Sequence, residues 1–209
     1  MTNQSENITM RVSNLMKLSA IVGRYIDVQR ATVRHGRPET DGEHTLHLQY
    51  VAVAYAAKYH PELDIAKVSL YGLVHDFVEV YAGDTNSLTT TNEAMAQKVI
   101  VEKQAFEQLQ SELGGIWPEF IGYIHDYETL SSKEARFIKC FDKCDPAFTH
   151  FESGGQALHD MGISSPGELR ALNQATEDRM ASYSSEFADV IAVRRELTNR
   201  VVAVTFPES

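Results

Sequence analysis

Residues 73–84 run Leu73-Val74-His75-Asp76-Phe77-Val78-Glu79-Val80-Tyr81-Ala82-Gly83-Asp84. A histidine, two aspartates and a glutamate are set among leucine, valine and phenylalanine. At helical spacing His75 and Glu79 share one face, with Asp76 one step round. Gly83 is a C-terminal helix stop, and Asp84 follows it where the chain can fold back. Two acids and a histidine buried without partners would be strongly unfavourable. A divalent cation removes that penalty. Imidazole nitrogen together with carboxylate oxygen suits Mn, Co, Fe or Zn, and Mg less well. The competing reading is a helix whose polar residues simply face water. Apolar residues on both sides of the His-Asp pair weaken it.

Working upstream, Asp41-Gly42-Glu43-His44-Thr45 opens another helix, capped by Thr40 or Asp41 and favoured by the charge of Glu43 at its positive end. His44 lies in its first turn and His47 one turn later. This helix continues through Leu48, Val51, Val53 and Ala57 and stops near Pro61. Asp64 caps the next, which carries Val68, Tyr71, Leu73, Val74 and Val78 and ends at Gly83. Downstream, Arg136-Phe137-Ile138-Lys139-Cys140-Phe141-Asp142-Lys143 is an apolar helix with an embedded aspartate. Asp142 is therefore a better metal-ligand candidate than Asp145, which precedes Pro146 and reads as a turn or cap residue. Spacing alone leaves open whether the helices of His44 and His75 cross.

The remaining pattern is also helical. Leu15, Leu18, Ile21, Val22, Tyr25 and Ile26 predict a first helix over about 9–28. Residues 30–42, with Gly36, Pro38 and Gly42, read as a basic loop. Residues 84–92 read as a polar loop. Further helices are expected over about 93–113, 118–127, 132–144, 165–183 and 185–201, with Pro146 marking a kink or restart. Val201 to Phe206 is β-prone but short. The expected fold is all-α, a single domain over residues 1–209. Its core covers about 10–150, with a C-terminal helical extension over about 151–209.

Composition bounds the function. The 209 residues are 43% hydrophobic and 23% charged, ordinary for a globular chain, and the formal net charge is −10. An acidic surface argues against gripping nucleic acid along its phosphates. Cys140 and Cys144 stand four apart without further ligands at finger spacing, so they read as buried small hydrophobes in a reducing compartment rather than a zinc site. Met1 to Asn7 are polar and include Glu6, so no signal peptide is expected. No apolar run is long enough for a bilayer. A cytoplasmic location, with no membrane or nucleic-acid partner, is the expectation.

A histidine in a Glu-His-Thr context, then a His-Asp pair, then a distant Asp followed by Lys resembles the HD superfamily of metal-dependent phosphohydrolases. The pattern is closest to its 5′-deoxynucleotidase-like branch, where a Glu three residues after the pair and a Gly-Asp shortly after match Glu79 and Gly83-Asp84. The resemblance covers roughly residues 10–150. It implies an HD-domain helical bundle with one divalent metal ion (Mn, Co, Mg, Fe or Zn) held by His44, His75, Asp76 and Asp142. It further implies Glu79 orienting water or shuttling its proton, Asp84 orienting the site or binding the sugar, and Arg30, at the end of the first helix, binding phosphate. Arg34 is a second substrate-binding candidate, with a solvated loop as the alternative for it and for Arg37. Glu128 is a weaker carry-over. The pair His125-Asp126 reads as a chance repeat. Only His125 lies between the His-Asp pair and Asp142, which disfavours a binuclear phosphodiesterase, and the absence of a Gly-Tyr-Pro motif disfavours cyclic-dinucleotide cleavage.

The expected substrate is a small nucleotide, most simply a deoxyribonucleoside 5′-monophosphate cleaved to nucleoside and phosphate. A deoxynucleoside triphosphate triphosphohydrolase using the same site is one alternative. A non-catalytic metal- or nucleotide-binding regulatory protein is another, and a metal that only staples the fold is a third. A homodimer through the apolar face of the last helix is open.

Overall fold

The computed structural model describes residues 7–86, 88 and 91–207. The polar start, apart from Asn7, and residues 87, 89 and 90 of the expected loop at 84–92 lie outside them. Helix α1, Ile8–Ile26, begins where the Asn7 side chain accepts from the Met10 amide, and it buries Ile21 and Tyr25. Helix α2 is Asp41–Tyr59 and opens with a capping box: Thr40 accepts from the Glu43 amide while Glu43 accepts from the Thr40 amide. Helix α3, Ile65–Val74, starts on Asp64, whose carboxylate accepts from the Ala66 and Lys67 amides.

Three features depart from the sequence expectation. First, the basic loop is a β-hairpin of β1, Gln29–Arg34, and β2, Arg37–Thr40, closed by the Arg34–Arg37 pair. His35 and Gly36 both take positive φ, 52° and 76°, as the tightest hairpin turns require. No apolar alternation signalled these strands because their buried side chains are polar and pair with each other, Thr32 donating to Glu39 Oε2 at 2.7 Å. Arg30 accordingly sits on β1, not at the end of the first helix.

Second, the helix expected to run on to Gly83 breaks after Val74. The Phe77 amide bonds to Val74 O and the Glu79 amide to Asp76 O, three-residue turns that replace the α-helical ladder. A short helix α4, Glu79–Ala82, follows, and Gly83 leaves it at φ 72°. His75 and Asp76 therefore lie on a tightened turn between two helices, which aims their side chains at one point.

Third, the C-terminal half is more divided than its pattern indicated. After α5, Asn92–Leu113, α6, Pro118–Glu128, and α7, Lys133–Asp142, the chain restarts at α8, Asp145–Glu152, and adds a short α9, Gln156–Asp160. Gly155 precedes α9 at φ 78°, and a side chain there would collide with Thr205. The last helices are α10, Pro166–Ser184, and α11, Ala188–Thr205, so the β-prone end of the chain is helical.

One apolar cluster gathers Leu48 and Ala52 of α2, Val68 and Tyr71 of α3, Ile124 of α6 and Phe137 and Ile138 of α7, and it continues through Met180, Phe187 and Val190. A smaller cluster joins Leu158, Ile163 and Leu169 to Val201 and Val202. Much of the apolar face of α11 is thus buried inside the chain, through Val190, Val201 and Val202. No helix of the described residues is long and apolar enough to cross a membrane. The core fixes α2, α3 and α7 against one another, and their polar residues meet at one place.

Candidate metal centre

His44 comes from the first turn of α2, His75 and Asp76 from the turn after α3, and Asp142 from the last residue of α7. One ligand atom from each lies within 4.8 Å of all the others. His44 Nε2 is 3.1 Å from His75 Nε2 and 3.1 Å from Asp142 Oδ1, and His75 Nε2 is 3.0 Å from Asp76 Oδ2. Both imidazoles are fully enclosed.

The outer nitrogens decide what the inner ones can do. His75 Nδ1 lies 2.9 Å from the Gly72 carbonyl, which only accepts, so Nδ1 carries the proton. His44 Nδ1 lies 2.8 Å from Asp145 Oδ2, a carboxylate that likewise accepts. In the neutral rings both Nε2 atoms then present lone pairs to each other across 3.1 Å, beside two carboxylates. Such an arrangement needs positive charge between its members. In the metal-free cluster a proton can supply it. Burial and Arg30 oppose charge on His44, but hydrogen bonds to Asp142 and Asp145 outweigh them and raise its pKa to about 10. The Asp142 carboxyl stays well below its usual range: burial opposes ionisation, and Lys143 with the two histidines overcomes it. Two imidazole nitrogens and two carboxylate oxygens so disposed fit a divalent ion, of the class that borderline nitrogen and oxygen donors prefer.

Asp145 corrects the sequence expectation of a turn or cap residue. It is fully buried, its Oδ2 on His44 and its Oδ1 2.6 Å from His47 Nδ1. Burial pushes its pKa up, yet the two histidines hold it at about 2. The Asp-Pro dipeptide concealed this role, because α8 begins at Asp145 and Pro146 occupies a first-turn position that needs no amide.

On the open side of the cluster Arg30 reaches in from the hairpin. Its Nη1 lies 2.9 Å from Asp41 Oδ1, 2.9 Å from Asp76 Oδ2 and 3.9 Å from Glu79 Oε2. One guanidinium thus serves three carboxylates. Asp41 was visible in the sequence only as a possible cap; it is fully buried, and burial and then Asp76 raise its pKa to about 6. Glu79, at the start of α4, is 2% exposed. Burial and then Asp76 raise its pKa well above the usual carboxylate range. Lys98 of α5 approaches Glu79 Oε1 at 3.3 Å, while Oε2 has no hydrogen-bond partner among the described residues. Lys98 carried no sequence signal, since a lysine on an amphipathic helix ordinarily faces water.

Asp84 is half-buried beyond Gly83 and accepts from the Ala31 amide at 3.4 Å. It lines, with Arg30, Asp142 and Lys143, a cleft of about 770 Å³ including its open mouth. Arg34 does not join this group. Its Nε is 2.9 Å from Glu39, with Thr149 and Glu152 on its other nitrogens, at a separate cavity under the hairpin tip. Arg37 pairs with Glu43. Glu128 ends α6, and burial raises its pKa to about 7; Asp76 and His75 both influence its charge, but it does not line the cleft. His125 is exposed on α6 with its ring beside Phe106, apart from the cluster. Both cysteines are buried free thiols.

Fold and site together define a helical protein built around an enclosed histidine–aspartate cluster able to hold a divalent ion. The chain belongs to the HD-domain family, whose sequence model matches residues 22–183. It is 27% identical to the 5′-deoxynucleotidase HDDC2 of Mus musculus over 196 residues, covering 85% of this chain and 94% of that one. It is 28% identical to the 5′-deoxynucleotidase HDDC2 of Bos taurus over 140 residues, spanning 63% of this chain and 64% of the relative's length. Among solved structures, it is similar in fold to a predicted metal-dependent phosphohydrolase of Magnetospirillum magnetotacticum MS-1, with a TM-score of 0.70 at 23% identity over 93% of this chain and 96% of that one. A conserved hypothetical protein from Pyrococcus furiosus superposes with a TM-score of 0.55 at 19% identity, over 86% of this chain and 99% of that one.

Proposed function

We propose that this protein is a metal-dependent phosphohydrolase that cleaves a deoxyribonucleoside 5′-monophosphate to nucleoside and phosphate. The observation that carries the proposal is the pair of opposed Nε2 atoms of His44 and His75, 3.1 Å apart beside Asp76 and Asp142. They are the proposed ligands, and they adjoin a cleft into which Arg30 also projects. The likeness to two proteins named 5′-deoxynucleotidases supports the substrate class. A divalent ion held there supplies Lewis-acid polarisation of the phosphoryl group and a lowered pKa for water.

The chain's own residues do the rest. The Arg30 guanidinium, already oriented by Asp41 and Asp76, offers its remaining donors to phosphate oxygens. Glu79 holds and moves a proton at Oε2, the oxygen that has no hydrogen-bond partner among the described residues, while Lys98 steadies the opposite oxygen. Asp84 at the cleft wall takes the sugar hydroxyl. The charge balance favours a monophosphate over a triphosphate: of the three basic residues that could reach further phosphates, Arg34 and Arg37 are engaged by glutamates, and Lys143, which lines the cleft, is paired with Asp142.

Product analysis tests this. Metal-reloaded protein is incubated separately with deoxynucleoside mono- and triphosphates. Release of orthophosphate from monophosphates is expected. Release of triphosphate would transfer the assignment to a triphosphohydrolase, and no release from either would refute the nucleotide assignment.

A further inference from the structure

The cleft beside Asp142 extends away from the metal centre to a wall built by the C-terminal half. His150 of α8, Asn173 of α10 and Arg194 of α11 line that end, with Leu169 and Val201 supplying apolar surface. Arg194 is only 6% exposed. Its Nη2 donates to Asn173 Oδ1 at 2.5 Å, and its Nε has no hydrogen-bond partner among the described residues. His150 Nδ1 is buried and equally unpartnered. The other polar groups are already committed. Asn173 Nδ2 donates to Leu169 O at 3.0 Å, Thr176 to Leu172 O at 3.2 Å and Thr198 to Arg194 O at 3.0 Å. Among the described residues, the groups left to meet a ligand at this end are a guanidinium and an imidazole.

A buried guanidinium with unmet donors is unfavourable unless something arrives to accept from it. Acceptor chemistry at this end must be compact and must tolerate apolar walls. A second phosphate would meet Leu169 and Val201 and lose its hydration, whereas a heterocyclic ring lies well against them. The charge of Arg194 is also partly offset by the nearby carboxylates of Glu177 and Asp142, while Asn173 Oδ1 takes one of its donors. A neutral acceptor therefore suffices.

We propose that Arg194, held by Asn173, is a specificity residue that donates to a carbonyl oxygen of the substrate's nucleobase, with the ring seated against Leu169 and Val201 and the phosphate at Arg30. This rests on the nucleotide assignment above. On this reading α10 and α11 carry the part of the cleft that recognises the leaving group.

The test measures phosphate release by the full, metal-reloaded chain from deoxyuridine 5′-monophosphate and from deoxyribose 5-phosphate, which keeps phosphate and sugar but lacks the base. The wild type should favour the nucleotide by about tenfold or more in kcat/KM, the scale of one hydrogen bond from a charged donor. Arg194→Met should erase that preference through KM, with turnover of deoxyribose 5-phosphate within about twofold of the wild type. Arg194→Lys keeps the charge without the planar fork and should fall between them. Melting temperatures establish that each variant is folded, and the wild-type comparison stands even where a variant is not. Equal use of both substrates by the wild type, or variants that slow both equally, would overturn the proposal while leaving phosphohydrolase activity intact. Release from neither substrate would overturn this proposal, and the nucleotide assignment with it only where the other deoxynucleoside 5′-monophosphates are not cleaved either.

Discussion

The Asp145 carboxylate accepts from the outer nitrogen of His44 at 2.8 Å, which turns the inner nitrogen of that ring toward His75 Nε2 at 3.1 Å and leaves it, in the neutral ring, with the lone pair a metal would take. Partners of this kind fix the tautomer and angle of a metal-binding imidazole, and losing one typically weakens metal affinity by about 10–100-fold. Asp145→Asn cannot accept from His44 and His47 together. Its divalent-metal affinity, measured by competition with a chromophoric chelator, should fall by that factor while its far-UV circular dichroism stays unchanged. An unaltered affinity would show that Asp145 has no part in orienting His44.

Glu79 is buried on the open side of the cluster, with one oxygen on Lys98 and the other 3.9 Å from Arg30 without a hydrogen bond among the described residues. Glu79→Gln preserves shape but cannot carry a proton. A general acid–base group contributes about 10²–10⁴-fold in rate, so kcat should drop at least a hundredfold. Metal content, read by elemental analysis, should stay at the wild-type value. Retained activity would remove Glu79 from the chemistry.

Much of this was legible before the fold was known, and the exceptions share a cause. His44, in the polar run from Asp41 to Thr45, stood out through the family resemblance. His75, Asp76 and Asp142 stood out because each is an ionisable residue in an apolar helical context, which is a local property. Helix starts at Asp64, Pro118 and Pro166 were legible for the same reason. The hairpin was not, because its inward face is Thr32 and Glu39, satisfied by partners that only the fold brings near. Asp145, Asp41, Lys98 and Arg194 were not legible either. Each sits in a locally ordinary setting, a cap, a helix face or a helix middle, and takes on its role from residues far away in the chain. Arg34 shows the converse: a basic loop next to a phosphate site looks functional until Glu39 and Glu152 occupy it.

His150 gives a pH signature separate from catalysis. It is 7% exposed, and burial, which Glu39 offsets only in part, lowers its pKa to about 4. In the unfolded chain it titrates near 6.5. Above that value neither state is protonated and stability is unaffected. As pH falls below 6.5 the unfolded state takes up a proton that the folded state refuses, so stability declines until pH reaches about 4. At pH 5 this amounts to about 2 kcal/mol. Urea unfolding of the wild type and of His150→Gln at pH 7.5 and pH 5 measures it. The variant should lose about 2 kcal/mol less than the wild type over that interval. Equal losses would mean that His150 is protonated in the folded protein.

The capping box at the head of α2 positions His44, which lies four residues after Thr40. Thr40→Ala should lower unfolding free energy by about 1 kcal/mol. Chemical denaturation would register it as a shift in midpoint with unchanged slope. No shift would indicate that Glu43, with Arg37, caps the helix alone.

Phosphate release from a deoxyribonucleoside 5′-monophosphate by metal-stripped protein, titrated with manganese beside His75→Ala, tests the central claim most directly. Activity should be absent in the stripped chain, rise with added ion, saturate at one ion per chain, and stay absent in a folded His75→Ala variant at the same manganese concentrations. Equal release with and without metal, or undiminished release by His75→Ala, would contradict the account.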